Sequence, residues 1–142
     1  MTFVWNDGGR KSAGFKGTTK DCVVRAIAIA TGVSYKKVRA DLYELNCQAK
    51  PKYKTQDPTK AGTHFKTVKA YLKTLGWVWK PTMGIGTGCK VHLRESELPR
   101  GTIIVRVSKH LATVIDGVLQ DISDCSRDGN RCVYGYFYKT GT

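Results

Sequence analysis

At Gly76 the hydrophobic pattern of the chain changes period, and this break constrains the fold more than any single residue does. Upstream, Val38, Leu42 and Leu45 recur at helical spacing, and so do Phe65, Val68, Tyr71, Leu72 and Leu75. Downstream, short β-branched and aromatic runs alternate with polar residues and are divided by turn signals. Helices followed by sheet predict an α+β domain, with no internal repeat and no linker. The 142 residues suffice for one sizeable core but not for two ordinary ones, so 1–142 reads as a single domain.

Residues 1–20, rich in glycine and short polar side chains, read as an extended N-terminal arm. Thr18, Thr19 or Asp21 is placed to cap a first helix over 22–31 that Gly32 closes. Ser34 caps a second helix through about Asn46, and Thr63 caps a third. Between them, the polar loop 47–62, with Pro51 and Pro58, has the length of a mobile, substrate-facing flap. Strands are predicted at 77–79, 102–107, 110–115, 118–122 and 132–138, forming an antiparallel sheet, with one helical turn near 95–98. The glycine-rich stretch 83–88 lacks the Lys-Ser/Thr ending of a phosphate-binding loop.

Asp116-Gly117 between two alternating runs predicts a two-residue type I′ turn. Ile115 then faces Val118, Val114 faces Leu119 and Thr113 faces Gln120. With a side-chain period of two, His110, Ala112, Val114, Leu119 and Asp121 share one sheet face, and His110 and Asp121 become diagonal neighbours. Cys22 stands at the start of the first helix, where the positive end of the macrodipole favours thiolate over thiol. A nucleophilic sulfur, an imidazole base and an orienting carboxylate are the parts of a Cys-His-Asp hydrolase. His64 and His92 are rival histidines, but neither has an acid placed by local register.

Twenty-four Lys and Arg against 11 Asp and Glu give a formal charge of +13. Lys36, Lys37 and Arg39 on the second helix, and Lys66, Lys69 and Lys73 on the third, form a basic surface that attracts an acidic protein or nucleic acid. Tyr35, Tyr43, Tyr53, Tyr71, Trp77 and Trp79 interleave with these cations, as stacking groups or as core. Five cysteines without a secretory leader favour a reducing compartment. Cys125 and Cys132 form the best disulfide candidate, and Cys89 with His92 could join them around zinc, although the spacing is not a paired CxxC arrangement. No apolar run reaches membrane-spanning length, so the expectation is a cytoplasmic protein that does not engage a membrane.

Asp21-Cys22-Val-Val-Arg-Ala and the run from Lys109-His110 to Asp121, in this order on helix and sheet, resemble the papain-like cysteine peptidase superfamily. The likeness is to its small C39-like and NlpC/P60-like versions. With Phe15-Lys-Gly17 ahead of the cysteine, these stretches are also similar to short proteins from phage genomes, which implies the host cytoplasm as location. About twenty residues carry the likeness at motif level. The resemblance implies a papain-like fold and a peptide or protein substrate, with no cofactor or metal. It implies that Cys22 is the nucleophile, His110 the base and Asp121 the residue holding the imidazole. The oxyanion would be met by the Cys22 backbone N–H and a second donor. The glutamine that papain-like enzymes carry before the cysteine is missing, which leaves Lys16 or Asn6 for that role. Transglutaminase-type acyl transfer and a non-catalytic basic binding factor are the alternatives on the same scaffold.

Overall fold

A computed structural model of the chain describes residues 1–15, 20–48, 56–60, 63–84 and 86–140. Three helices, α1 (Cys22–Thr31), α2 (Tyr35–Gln48) and α3 (Phe65–Thr74), accompany strands β1 (Phe3–Trp5), β2 (Trp77–Pro81), β3 (Val91–His92), β4 (Thr102–Val107), β5 (His110–Ile115), β6 (Val118–Asp121), β7 (Cys132–Val133) and β8 (Gly135–Lys139). The main sheet has the order β1-β6-β5-β4-β8-β2, and β3 and β7 form a separate ribbon. The fold is therefore α+β with a mixed sheet. The expected purely antiparallel sheet is corrected by β1, which runs parallel to β6 with Phe3 opposite Leu119 and Trp5 opposite Asp121. Three residues are too few to show alternation, so this edge strand reads in the sequence as an arm.

The hairpin has the predicted register: Thr113 opposite Gln120, Val114 opposite Leu119 and Ile115 opposite Val118. Both turn residues are left-handed, Asp116 at φ 48° and Gly117 at φ 79°, as a type I′ turn demands. β4 and β5 lie mid-sheet and bury both faces. Ile104 and Leu111 join the core under the helices, while Ile103, Val105, Val107, Ala112 and Val114 join a second core with Leu93, Leu98, Leu119 and Val133. α1 lies over β4, β5 and β6, α3 over β2, and α2 rests on the other two helices. Thr113 ties α1 to the sheet by donating its hydroxyl to the Ala26 carbonyl at 2.6 Å.

Several local expectations need correction. Ser34 does cap α2, accepting from the Lys37 N–H at 3.2 Å, but the helix runs on to Gln48. The residue before α3 is His64 rather than Thr63. Asp21 precedes α1 without capping it, since its carboxylate is engaged elsewhere. Thr18 and Thr19 lie outside the described residues. The predicted strand 132–138 is broken into β7 and β8, which pair with different partners. Most of the expected flap lies outside the described residues. Its turn at 56–60 is pinned rather than free: Asp57 binds Arg39 at 2.8 Å, and Asn46 Nδ2 donates to the Gln56 carbonyl at 3.0 Å.

The cysteines also pair differently from the expectation. Cys89 is bonded to Cys132 across 43 residues, with Cα atoms 5.7 Å apart, whereas Cys125 is a buried free thiol. Cys132 is taken up by Cys89, and Cys125 packs in the second core. The bond also removes two of the thiols that the zinc reading needs. Tyr35, Tyr71 and Trp77 are core residues, and Trp79 packs edge-on to Phe65 with centroids 4.8 Å apart. No described helix is long and apolar enough to cross a membrane.

Gly135 of β8 lies opposite Pro81 of the edge strand β2. A Cβ there would lie 2.4 Å from the Trp79 ring and 2.7 Å from the Lys80 carbonyl. Gly135→Ala is expected to cost about 1–3 kcal/mol, the range for overpacking a close contact. Urea denaturation measures the loss, which would lie near zero if β2 could shift freely.

Candidate active site

The first turn of α1 and the open end of the β5–β6 hairpin meet at a group of buried ionisable residues. His110 opens β5 and Asp121 ends β6, and the diagonal placement set by the turn brings Nε2 of His110 to 2.6 Å from Oδ2 of Asp121. Oδ1 of the same carboxylate accepts from the Ile122 N–H at 2.7 Å and faces Arg25 at 3.5 Å. Cys22, the first residue of α1, lies beside His110 and Leu111. The two side chains line one cleft of about 260 Å³ with Thr63, Phe65, Arg106 and Lys109. Two roomier hollows, of about 850 and 590 Å³, hold no cysteine or histidine. The chemistry therefore selects the smaller cleft.

Each ionisation follows from its surroundings. Burial raises the Cys22 thiol, but the hydrogen bond and charge of His110, the Leu111 N–H and the charge of Arg25 together bring it below the ordinary thiol value. Burial disfavours the imidazolium of His110, yet hydrogen bonds to Asp121, Cys125 and Cys22 outweigh it and raise the group to about 11. Burial also raises Asp121, and the hydrogen bond and charge of His110, the Ile122 N–H and the charge of Arg25 lower it below the usual carboxylate range. Together these favour a thiolate beside an imidazolium that a carboxylate holds, and the pair titrates as a unit.

The pH sign follows from those directions. Thiolate is lost as pH falls through the depressed Cys22 value, while imidazolium persists to about pH 11. Alkylation of Cys22 by iodoacetamide is therefore expected to stay fast through neutral pH and to fall on the acid side. His110→Ala should move that midpoint up toward the ordinary thiol value near 8.5. Mass mapping of the adduct across pH checks this, and an unmoved midpoint would remove His110 as the source of activation.

Behind the imidazole lies a charge network that local sequence reasoning missed. Arg25 is 6 % exposed in an otherwise apolar helix, and its guanidinium pairs with Asp21 on one side and Asp121 on the other. Asp21 is 1 % exposed, accepts from the Tyr35 hydroxyl at 2.7 Å and faces Arg10 at 3.2 Å. The Asn6–Arg10 segment folds as a tight turn against α1 instead of extending. Gly8, at φ 68°, approaches so closely that a Cβ would lie 3.0 Å from the Arg25 carbonyl. The available signal was the arginine itself, a buried charge demanding partners.

The remaining sequence-predicted residues separate clearly. Asn6 is spent on the turn, accepting from the Gly8 N–H at 2.9 Å and donating to Gln120 at 3.3 Å. It does not line the cleft, so it is withdrawn as oxyanion donor, while Lys16 lies outside the described residues. His92 pairs with Glu97 at 3.2 Å, and His64 precedes α3 on the surface; neither joins Cys22. Lys36, Lys66, Lys69 and Lys73 are exposed, and Lys37 is paired with Asp41 at 3.3 Å. Arg39 is structural, held by Asp57 and lying over the Phe15 ring at 5.1 Å.

Cys125 is the unanticipated neighbour. Its sulfur approaches the His110–Asp121 pair, all three donor atoms lying within 4.8 Å of one another. A metal held by the imidazole nitrogen and the carboxylate oxygen at about 2.0 Å each would spread those atoms to roughly 3.3 Å at a tetrahedral angle. Their 2.6 Å separation is that of a direct hydrogen bond. Cys125 is buried and does not line the cleft, so Cys22 is the sulfur that the cleft presents. Compared with known proteins, the chain matches no family model, no curated protein and no solved structure.

Proposed function

We propose that the protein is a papain-like thiol hydrolase that cleaves a peptide or isopeptide bond with Cys22, His110 and Asp121. The observation that carries this reading is one imidazole bonded to a buried carboxylate at 2.6 Å and sharing a cleft with a helix-tip thiol whose ionisation it favours. The Cys22 thiolate attacks the acyl carbon, and the imidazolium delivers its proton to the leaving amine as the C–N bond breaks. A thioester remains on Cys22. Neutral His110 then takes a proton from water, which attacks the thioester and releases the acid and the Cys22 sulfur. Asp121, fixed on Nε2, keeps the ring oriented throughout.

The test is to mix the protein with fluorescent peptide substrates, quench rapidly and map the acyl adduct by mass. A thioester on Cys22 that turns over supports hydrolysis, and its absence under all conditions that release product overturns the assignment of Cys22. Adding a free amine separates transfer from hydrolysis, since an acyltransferase would pass the acyl group to it. The exposed row Lys66, Lys69 and Lys73 supports a second reading, a basic surface binding nucleic acid or an acidic protein. That affinity would fall steeply with salt and survive Cys22→Ala.

A further inference from the structure

The cleft beside Cys22 is cationic in a way the hydrolytic step does not require. Arg106 projects from β4 on the helix side, and its guanidinium carbon lies 3.8 Å from the centre of the Phe65 ring. Lys109, in the turn between β4 and β5 at φ 56°, stands beside it on the cleft wall. Among the described residues no Asp or Glu lines the cleft, and neither cation has a carboxylate partner. This contrasts with Arg10, Arg25, Arg39, Arg94 and Arg100, each of which is paired.

Three further features point the same way. The cleft lies at the N-terminal ends of both α1 and α3; α3 has no acidic residue in its first turn, and the one carboxylate ahead of α1, Asp21, is held by Arg10 and Arg25. The Thr63 hydroxyl oxygen is buried there without a hydrogen-bond partner among the described residues. The net charge of +13 draws acidic chains toward the whole molecule. A guanidinium stacked on an aromatic ring is held in place while its N–H donors stay available, an arrangement suited to a carboxylate.

We infer that the substrate is an acidic peptide, with a Glu or Asp side chain at or next to the attacked carbonyl bound by Arg106 and by Lys109 at the rim. This deepens the hydrolase reading and rests on it for the chemistry, although anion binding by the cleft can be measured without turnover.

The experiment uses three peptidyl acyloxymethyl ketones that differ only in the two residues nearest the ketone: Glu-Glu, Gln-Gln or Lys-Lys. The thiolate displaces the acyloxy group as carboxylate and forms a thioether on Cys22. Wild type should be labelled in the order Glu, Gln, Lys, with Glu faster than Gln by about ten- to hundredfold, as expected for a hydrogen-bonded charge. Arg106→Gln should bring the Glu probe down to the Gln rate, and raising the salt should compress the same ratio in wild type without any substitution. In parallel, the three peptides without warheads are titrated against Cys22→Ala by fluorescence anisotropy. Labelling of Cys22 at equal rates by all three probes would overturn the acidic specificity and leave the hydrolase standing. Tight, Arg106-dependent binding of the Glu peptide with no labelling by any probe would overturn the hydrolase and leave the anion site standing.

Discussion

Cys22→Ala is expected to abolish peptide hydrolysis, lowering kcat by about 10⁴-fold or more, because a nucleophile acting as one unit with its base leaves little when removed. Cys47→Ala, on the exposed surface of α2, should leave the rate unchanged. Cys125→Ala is the informative comparison, since this sulfur lies within 4.8 Å of the His110 and Asp121 donor atoms but does not line the cleft. It should slow turnover by less than tenfold, through loss of packing behind the ring. Steady-state kinetics of the three variants check the order, and the reverse ranking of Cys22 and Cys125 would move the nucleophile to the buried side of the imidazole.

Arg25→Met carries the largest expected effect on stability. It leaves Asp21 and Asp121, at 1 % and 3 % exposure, without the cation between them. Removing one partner of a buried ion pair typically costs about 3–5 kcal/mol, because the stranded charge remains desolvated. Urea denaturation near neutral pH measures this. Asp21→Asn on the same background should restore part of the loss by removing a buried carboxylate left with Arg10 as its one cation, and simple additivity of the two substitutions would argue against a shared network. The acid side supplies a second check. Asp121 is held below the usual carboxylate range, so its contribution is complete above the ordinary carboxylate pKa and is lost as pH falls through the lowered value. In Arg25→Met that slope should shrink, because one cause of the depression has gone.

What could be read from residue order was governed by how local the cause is. Asp116-Gly117 sets its own left-handed turn, so the hairpin register and the meeting of His110 with Asp121 follow from a dozen consecutive residues. Gly32 closes α1 in the left-handed conformation at φ 77° for an equally local reason. Asp21 has the composition of a helix cap, but Arg25 one helical turn away, together with Arg10 and Tyr35 from outside the helix, outcompetes the backbone for its carboxylate. Thr63 likewise has cap composition yet ends in the cleft wall. The pairing of β1 with β6 spans most of the chain and has no periodic signature. Cys89 with Cys132, and Cys125 with His110, depend on how loops cross the second core, which spacing alone does not encode.

The parallel pairing of β1 with β6 has a consequence for synthesis. A ribosome adding roughly 5–20 residues per second makes Cys22 about 4–18 s before His110. Until β6 follows, the first strand has no neighbour to dock on, and the helix-tip sulfur has neither its imidazole nor its carboxylate. The nascent chain therefore carries an ordinary thiol. The proposed thiolate–imidazolium pair can therefore form only once the middle of the sheet has been made.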